Sequence, residues 1–118
     1  MNRVFLFLFL IQLTTTAVAQ KVNCVLQGLK DPISFTVPSK AGKLPQVDFP
    51  YPVKVTLFSL RSKNLFLMAM DNDDSSRPRL MISAQAHKDK ETYKGQFMTD
   101  YGGNQIQIDN GRASCKVK

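Results

Sequence analysis

The 118-residue sequence contains no tryptophan and a single histidine, and only nine acidic residues oppose its sixteen basic ones. Basic residues do not alternate with aromatic ones, so the chain lacks the stacking platform on which single-stranded nucleic acids bind. No stretch repeats apolar residues at the 3.6-residue period of an amphipathic helix, and no segment recurs along the chain. These absences exclude a helical domain, a repeat protein and a nucleic-acid binder of that type.

The chain also has little that could catalyse a reaction. The single histidine, His87, begins the charged turn HKDKE two residues before Asp89, and no serine lies in a nucleophile-elbow sequence. Asp48, Glu91 and Asp100 could serve as paired carboxylates in glycoside hydrolysis, but nothing in the sequence brings them to one site. We therefore predict that the protein is not an enzyme, and a small hydrolase is the weakest alternative.

One acidic segment, Asp71-Asn72-Asp73-Asp74, has the oxygen ligands that suit Ca²⁺ and resembles the start of an EF-hand loop. The glycine at the sixth position and the glutamate at the twelfth position of such a loop are missing. Arg77 and Arg79 follow closely and would neutralise the carboxylates. The segment is therefore predicted to be a solvated loop, and we expect no metal and no cofactor.

The N-terminus, MNRVFLFLFLIQLTTTAVAQ, has the pattern of a secretory signal peptide. Arg3 precedes the apolar run 4–13, and Ala17-Val18-Ala19 supplies the small residues that a signal peptidase requires. A membrane anchor is the alternative, but this run covers only about half of a bilayer core, which needs roughly 20 residues. We predict a signal peptide over residues 1–19, one domain over residues 20–118, no membrane span after cleavage, and a secreted or periplasmic location.

Export places the two cysteines, Cys24 and Cys115, in an oxidising compartment, where they are expected to pair. They lie near the two ends of the exported chain. In the chain-entropy model a loop of this length gains about 4 to 5 kcal/mol from its closure. A pair of buried free thiols is the alternative to this disulfide.

Short apolar runs separated by turn signals predict an all-β fold. Their spacing favours a small single-domain antiparallel β-barrel or sandwich of about seven or eight strands, stapled by the terminal disulfide. A closed barrel is preferred because the disulfide joins the first and last strands and closure removes edges. The predicted strands cover residues 22–27, 33–37, 53–60, 64–70, 80–86, 92–98, 104–108 and the C-terminal segment.

The C-terminal segment contains Asn110-Gly111, the strongest two-residue hairpin signal, because a type I′ turn needs positive φ at both central positions. A hairpin turning there would place Ile106 opposite Cys115 and Ile108 opposite Ala113. These four residues and Val117 are then predicted to share the buried face of the final hairpin.

Two of the predicted strands, 53–60 and 64–70, are apolar on both faces, although a barrel has one interior. The second face of these strands therefore needs a cover. The proline-rich segment 38–52 is one candidate cover, and a second copy of the chain or another protein partner is the alternative. The candidate protein-binding patch consists of Phe49, Tyr51, Phe58, Phe66 and Met68.

The formal net charge of +7 includes only one unit from the N-terminal segment. Basic residues cluster around turns and would form a positive rim if those turns share one end of the barrel. The alternative is a solvated surface that keeps the protein soluble. The candidate rim consists of Arg61, Lys63, Arg77, Arg79, Lys88 and Lys90.

The sequence thus predicts an exported, non-catalytic binding module of the cell envelope or extracellular space, acting as an interaction module, an inhibitor or an accessory subunit. Its partner is an unidentified protein or a second copy of the chain. The alternative is a binder of anionic envelope polymers, such as peptidoglycan or lipopolysaccharide, through the basic turns. Nucleic acid is not expected as a ligand, since export removes most targets.

Overall fold

The computed structural model describes residues 20–40, 42–89 and 91–118, so the predicted signal segment and Lys90 lie outside the described residues. Seven strands form one antiparallel sheet, which confirms the predicted all-β fold. The strands are β1 (Lys21–Leu26), β2 (Ile33–Thr36), β3 (Val53–Arg61), β4 (Asn64–Asp71), β5 (Pro78–Ala86), β6 (Thr92–Asp100) and β7 (Ile108–Val117). Within these ranges no helix has the length and apolarity to cross a bilayer.

The sheet order is β2-β1-β7-β6-β5-β4-β3, so strands β3 to β7 form a continuous meander and β1 is added to its far side. The first and last strands are therefore neighbours, as the disulfide argument requires. The sheet curls into a half-barrel whose edges are β2 and β3. Among the described residues, no ladder of hydrogen bonds joins β2 to β3, so the barrel is not closed.

The predicted disulfide is confirmed. Cys24 on β1 and Cys115 on β7 are directly opposite in the register, with their Cα atoms 3.9 Å apart. Both side chains are fully buried on the concave face of the sheet.

The core lies on this concave face, which we call the inner face. Alternate residues along each strand point to it, because successive side chains of a strand face opposite sides. The fully buried residues include Val22, Cys24 and Leu26 of β1, Leu65, Leu67 and Ala69 of β4, and Leu80, Ile82 and Ala84 of β5.

A β-bulge in β3 changes the face to which its residues point. Val55 is opposite Ala69 and Leu57 is opposite Met68, so Thr56 is an extra residue without a partner on β4. Phe58 consequently joins Val55 toward the inner face, whereas Leu57 is 53% exposed on the outer face. Strict alternation along 53–60 predicts that Val55 and Leu57 share one face; this prediction is wrong, because alternation does not continue through a bulge.

The predicted hairpin at Asn110-Gly111 is wrong. Both residues lie within β7, opposite Met98 and Phe97 of the long strand β6. A Cβ on Gly111 would lie 3.1 Å from Gln27 Oε1 and 3.3 Å from the Phe97 ring, so a larger residue there would require these side chains to shift slightly. The positive φ angles of a hairpin turn occur instead at Ser62 (54°) and Lys63 (65°), between β3 and β4.

Because no turn occurs at Asn110-Gly111, the burial predicted for Ile106 in the β6–β7 connection and for Ile108 at the start of β7 is also wrong. Ile106 is 67% exposed and Ile108 is 49% exposed, although both were expected inside. The second half follows the prediction, since Ala113, Cys115 and Val117 are buried.

The described part of the proline-rich segment 38–52 connects β2 to β3. Val47 and Phe49 pack against the core, and Pro45 is buried. Among the described residues, positions 44–51 form no backbone–backbone hydrogen bond. The segment therefore fills the gap between the sheet edges by side-chain packing, and it covers the inner face rather than the second face of β3 and β4.

The two ends of the sheet are named here for later use. The loop end carries the β4–β5 connection 72–77 and the β6–β7 connection 101–107. The basic end carries the β3–β4 and β5–β6 turns, together with the start of β1 and the end of β7.

Candidate functional site: the outer face and the basic end

Three methionines occupy directly opposite positions on the outer face of the sheet. Met68 of β4 is opposite Met81 of β5, which is opposite Met98 of β6. Leu57 of β3 continues the row on the other side of Met68. With strands about 4.8 Å apart, this outer methionine band extends about 14 Å across the sheet. All three methionines are partly exposed.

Apolar surface continues beyond the band toward the loop end. A cavity of about 290 Å³ is lined by Met98, Pro78, Ile106 and Ile108, among other residues. Ile106 is 67% exposed and Ile108 is 49% exposed. The outer face therefore presents connected apolar surface from β3 to the β6–β7 connection, and such surface is typical of an interaction site.

Polar and cationic residues border the band. The next row toward the basic end contains Ser59, Phe66, Ser83, Gln96 and Arg112 in register on β3 to β7. Lys54 lies on the other side of the band, opposite Met70. The exposed cations around the band are Lys54, Arg61, Lys94 and Arg112.

The predicted protein patch is divided by the fold. Phe66 and Met68 lie on the outer face, but the Phe58 ring makes an edge contact with Phe35 at 5.7 Å in the interior. Phe49 stacks on Tyr101 with ring centroids 4.9 Å apart. Tyr51 covers the guanidinium of Arg79 at 4.1 Å. These three aromatic side chains support the half-barrel instead of facing a partner with Phe66 and Met68.

The predicted basic rim is divided as well, because Arg77 and Arg79 lie at the loop end. Arg77 donates from Nε to Asp100 Oδ2 at 2.7 Å and from Nη2 to Asp100 Oδ1 at 3.1 Å. Arg79 is 3% exposed and donates from Nε to Asp71 Oδ2 at 2.8 Å. Both arginines are engaged by carboxylates, so they are not part of an exposed rim.

Asp100 is the centre of this loop-end network. Its buried carboxylate also accepts hydrogen bonds from the backbone N–H groups of Gly102 and Gln107. The Arg77 hydrogen bonds, assisted by these two amides, hold the pKa of Asp100 far below its ordinary value of 3.8, although burial opposes the shift. The same interaction raises the pKa of Arg77. The network thus fixes the β6–β7 connection against β5.

The other described rim residues, Arg61, Lys63 and Lys88, lie at the basic end. Ala86 N–H donates to the carbonyl of Lys63 at 2.8 Å, which places the β3–β4 and β5–β6 turns side by side. The N–H and carbonyl groups of Lys21 and Lys118 bond to each other there. The exposed cations at this end are Lys21, Arg61, Lys63, Lys88, Lys116 and Lys118. Only Asp89 and Glu91 oppose them among the residues described there.

The candidate catalytic groups do not converge. His87 is exposed in the β5–β6 turn, and Glu91 is at the same end of β6. Asp100 is at the opposite end of this nine-residue strand, about 30 Å away by strand geometry. Asp48 lies in the proline-rich segment and lines other cavities. Within the described ranges, no cluster of histidine, cysteine and carboxylate side chains could hold a metal ion.

Comparisons of the chain with protein-family models, curated protein sequences and solved structures return no significant match. Function is therefore argued from the geometry above.

The sequence reasoning missed Leu57, Met81 and Met98 as candidate binding residues. Each lies in a strand that was predicted, and a predicted meander would have placed them on adjacent strands. The missing information was the register, because the β4–β5 connection is too long to align Met68 with Met81 from the sequence. The bulge at Thr56 concealed the position of Leu57.

Proposed function

We propose that this protein is an exported, non-catalytic binding module that docks a partner protein on the outer methionine band. The observation that carries the proposal is the in-register row of Leu57, Met68, Met81 and Met98, which no described segment of the chain covers. Methionine side chains are flexible and polarisable, so they adapt to a partner's surface.

Two features support export. The N-terminal segment has the composition of a signal peptide, with an apolar run followed by Ala17-Val18-Ala19. The Cys24–Cys115 disulfide is compatible with an oxidising extracellular or periplasmic compartment.

The surroundings of the band suggest the chemistry of the partner. The band itself carries no charge. Exposed cations lie beyond it toward the basic end and at Lys54, whereas Asp74 and Asp100 line the cavity beside Met98 at the loop end. A complementary surface would present apolar side chains at its centre and carboxylates at its margin, because opposite charges at a rim steer association and fix orientation.

A non-catalytic role is supported by the separation of the candidate groups. The turn of His87 contains no serine, threonine or cysteine, and Glu91, just before β6, lies at the opposite end of that strand from Asp100. The lowered pKa of Asp100 keeps this carboxylate ionised, which does not suit a general acid.

The proposal is tested by affinity capture from the native envelope and medium with Met81→Asp and Gln85→Asp as matched variants. Both residues lie on the outer face of β5, but only Met81 belongs to the band. We expect a stoichiometric protein to stay bound to the wild type and to Gln85→Asp through moderate salt, and to be lost from Met81→Asp. Equal capture by Met81→Asp would exclude the band as the docking surface.

A second candidate function rests on the cluster of cations at the basic end. We propose that the basic end binds an anionic envelope polymer, since neighbouring lysines create a local positive potential. Binding of lipopolysaccharide or peptidoglycan should then weaken steeply with salt, and Lys63→Glu/Lys88→Glu should abolish it. The control Lys43→Glu/Lys54→Glu makes the same change in net charge elsewhere. Equal losses in both variants would indicate a non-specific effect of net charge.

A further inference from the structure

Sulfur chemistry distinguishes the outer methionine band from an ordinary apolar patch. Thioether ligands select soft metal ions, Cu(I) above all, over the hard cations that prefer oxygen. Both cysteines are held in the disulfide. All the methionines of the described ranges, namely Met68, Met70, Met81 and Met98, lie on the outer face of three adjacent strands.

From this arrangement we infer that Met68, Met81 and Met98 bind one Cu(I) ion through their three Sδ atoms. Met81 is the middle residue, directly opposite Met68 on one side and Met98 on the other. Adjacent strands are about 4.8 Å apart, and the three rotatable bonds of each methionine let the outer two thioethers turn toward the central one.

The neighbours of the three methionines favour a soft, singly charged ion. Leu57 and Asn110 occupy the two ends of the same register row, so no carboxylate belongs to the row. A neutral ligand set offers little to Ca²⁺ or Mg²⁺, which require oxygen ligands. The partial exposure of all three methionines leaves a route for the ion to enter.

This inference concerns the same surface as the proposed docking site, but it does not depend on a protein partner. A protein partner needs apolar area, which leucine preserves, whereas Cu(I) needs sulfur, which leucine lacks. Replacing the three methionines by leucine therefore separates the two ideas. Exchanges between leucine and methionine conserve volume and are usually tolerated, even in well-packed interiors.

The experiment measures anaerobic Cu(I) transfer from the chromogenic bicinchoninate complex to the disulfide-bonded protein. We expect one Cu(I) per chain, with shifts in the methyl NMR signals of Met68, Met81 and Met98. Met68→Leu/Met81→Leu/Met98→Leu should weaken binding by about 100-fold or more, because the loss of a group that only hydrogen-bonds to a metal ligand already costs about 10- to 100-fold. Met70→Leu, on the same face but opposite Lys54, should change it by less than about threefold.

Several results would overturn the inference. One is that the wild type takes no Cu(I) from bicinchoninate, and another is that the triple leucine variant binds Cu(I) as well as the wild type. Equal weakening by Met70→Leu would place the ion elsewhere on the face. Loss of Cu(I) with retained protein capture in the triple leucine variant would support the metal site and leave the docking proposal intact.

Discussion

The two ends of the sheet both carry clusters of cations, but only one end neutralises them. At the loop end, Arg77 and Arg79 are paired with Asp100 and Asp71, and all the ion pairs recorded among the described residues are there. At the basic end, the lysines and Arg61 are exposed around two short turns. The comparison shows that a basic run in a sequence predicts an available surface only where the fold places no carboxylate opposite it.

The ends also differ in what holds their strands together. The loop end is stabilised by buried charged groups that fix the β6–β7 connection. The basic end contains the outermost residues of β1 and β7, and the nearby Cys24–Cys115 bond joins these two strands. Ion pairs thus stabilise the loop end, whereas a covalent bond holds the strands that reach the basic end.

The largest effect is expected from removing the disulfide. Cys24→Ala/Cys115→Ala should lower the free energy of unfolding by about 4 kcal/mol, because the cross-link closes a very long loop in the unfolded chain. Urea unfolding followed by circular dichroism measures the change. The wild type treated with a reductant should match the variant, and a wild-type midpoint in the variant would show that the basic end does not depend on the bond.

Breaking the loop-end network should have the next largest effect. Asp100→Asn leaves Arg77 without its carboxylate partner, and we expect a loss of about 3 kcal/mol in the free energy of unfolding. The same urea experiment applies. Asp73→Asn is the matched control at this end, since its side chain is exposed, and it should unfold close to the wild type. Equal stability of Asp100→Asn and the control would refute the structural role of the network.

The smallest effect is a difference in pH dependence. The folded-state pKa of Asp100 lies below its ordinary value of 3.8, so near pH 4 the unfolded chain binds more protons than the folded one. Its stabilisation is complete above that region and is lost as the pH falls. We expect Asp100→Asn to flatten the fall in urea midpoint between pH 5 and about pH 2.5, whereas Asp73→Asn keeps the wild-type slope. An unchanged slope in Asp100→Asn would contradict the assignment.

The strands and the disulfide were predictable because their signals are local. The alternation of Val22, Cys24 and Leu26 specifies the inner face of β1 without knowledge of its neighbours. Two cysteines permit a single pairing within one chain, and the faces of β1 and of the end of β7 agree with it.

Features that depend on strand partners were not predictable. Asn110-Gly111 favours a turn locally, but pairing along the whole of β6 outweighs that preference and keeps β7 straight. The bulge at Thr56 leaves no clear sign in VKVTLFSL, and it reverses the face of every following residue of β3.

The candidate site was predictable only in part, because some of its residues follow from local alternation and others from strand pairing. Phe66 and Met68 were recognised because the alternation of β4 places them on a second apolar face. Met81 and Met98 join them through the register alone, so the sequence could suggest an uncovered face but not a row of thioethers.

The pairing of β1 with β7 determines the order in which the molecule can fold. Strands β3 to β7 pair with sequence neighbours, and contacts of this kind form early. The β1–β2 hairpin can join the sheet only when β7 is present, and Cys115 of β7 lies 91 positions after Cys24. In a chain that is synthesised and exported N-terminus first, Cys24 therefore remains an unpaired thiol until β7 is available. We therefore expect the disulfide to form last, after the strands of the sheet have paired.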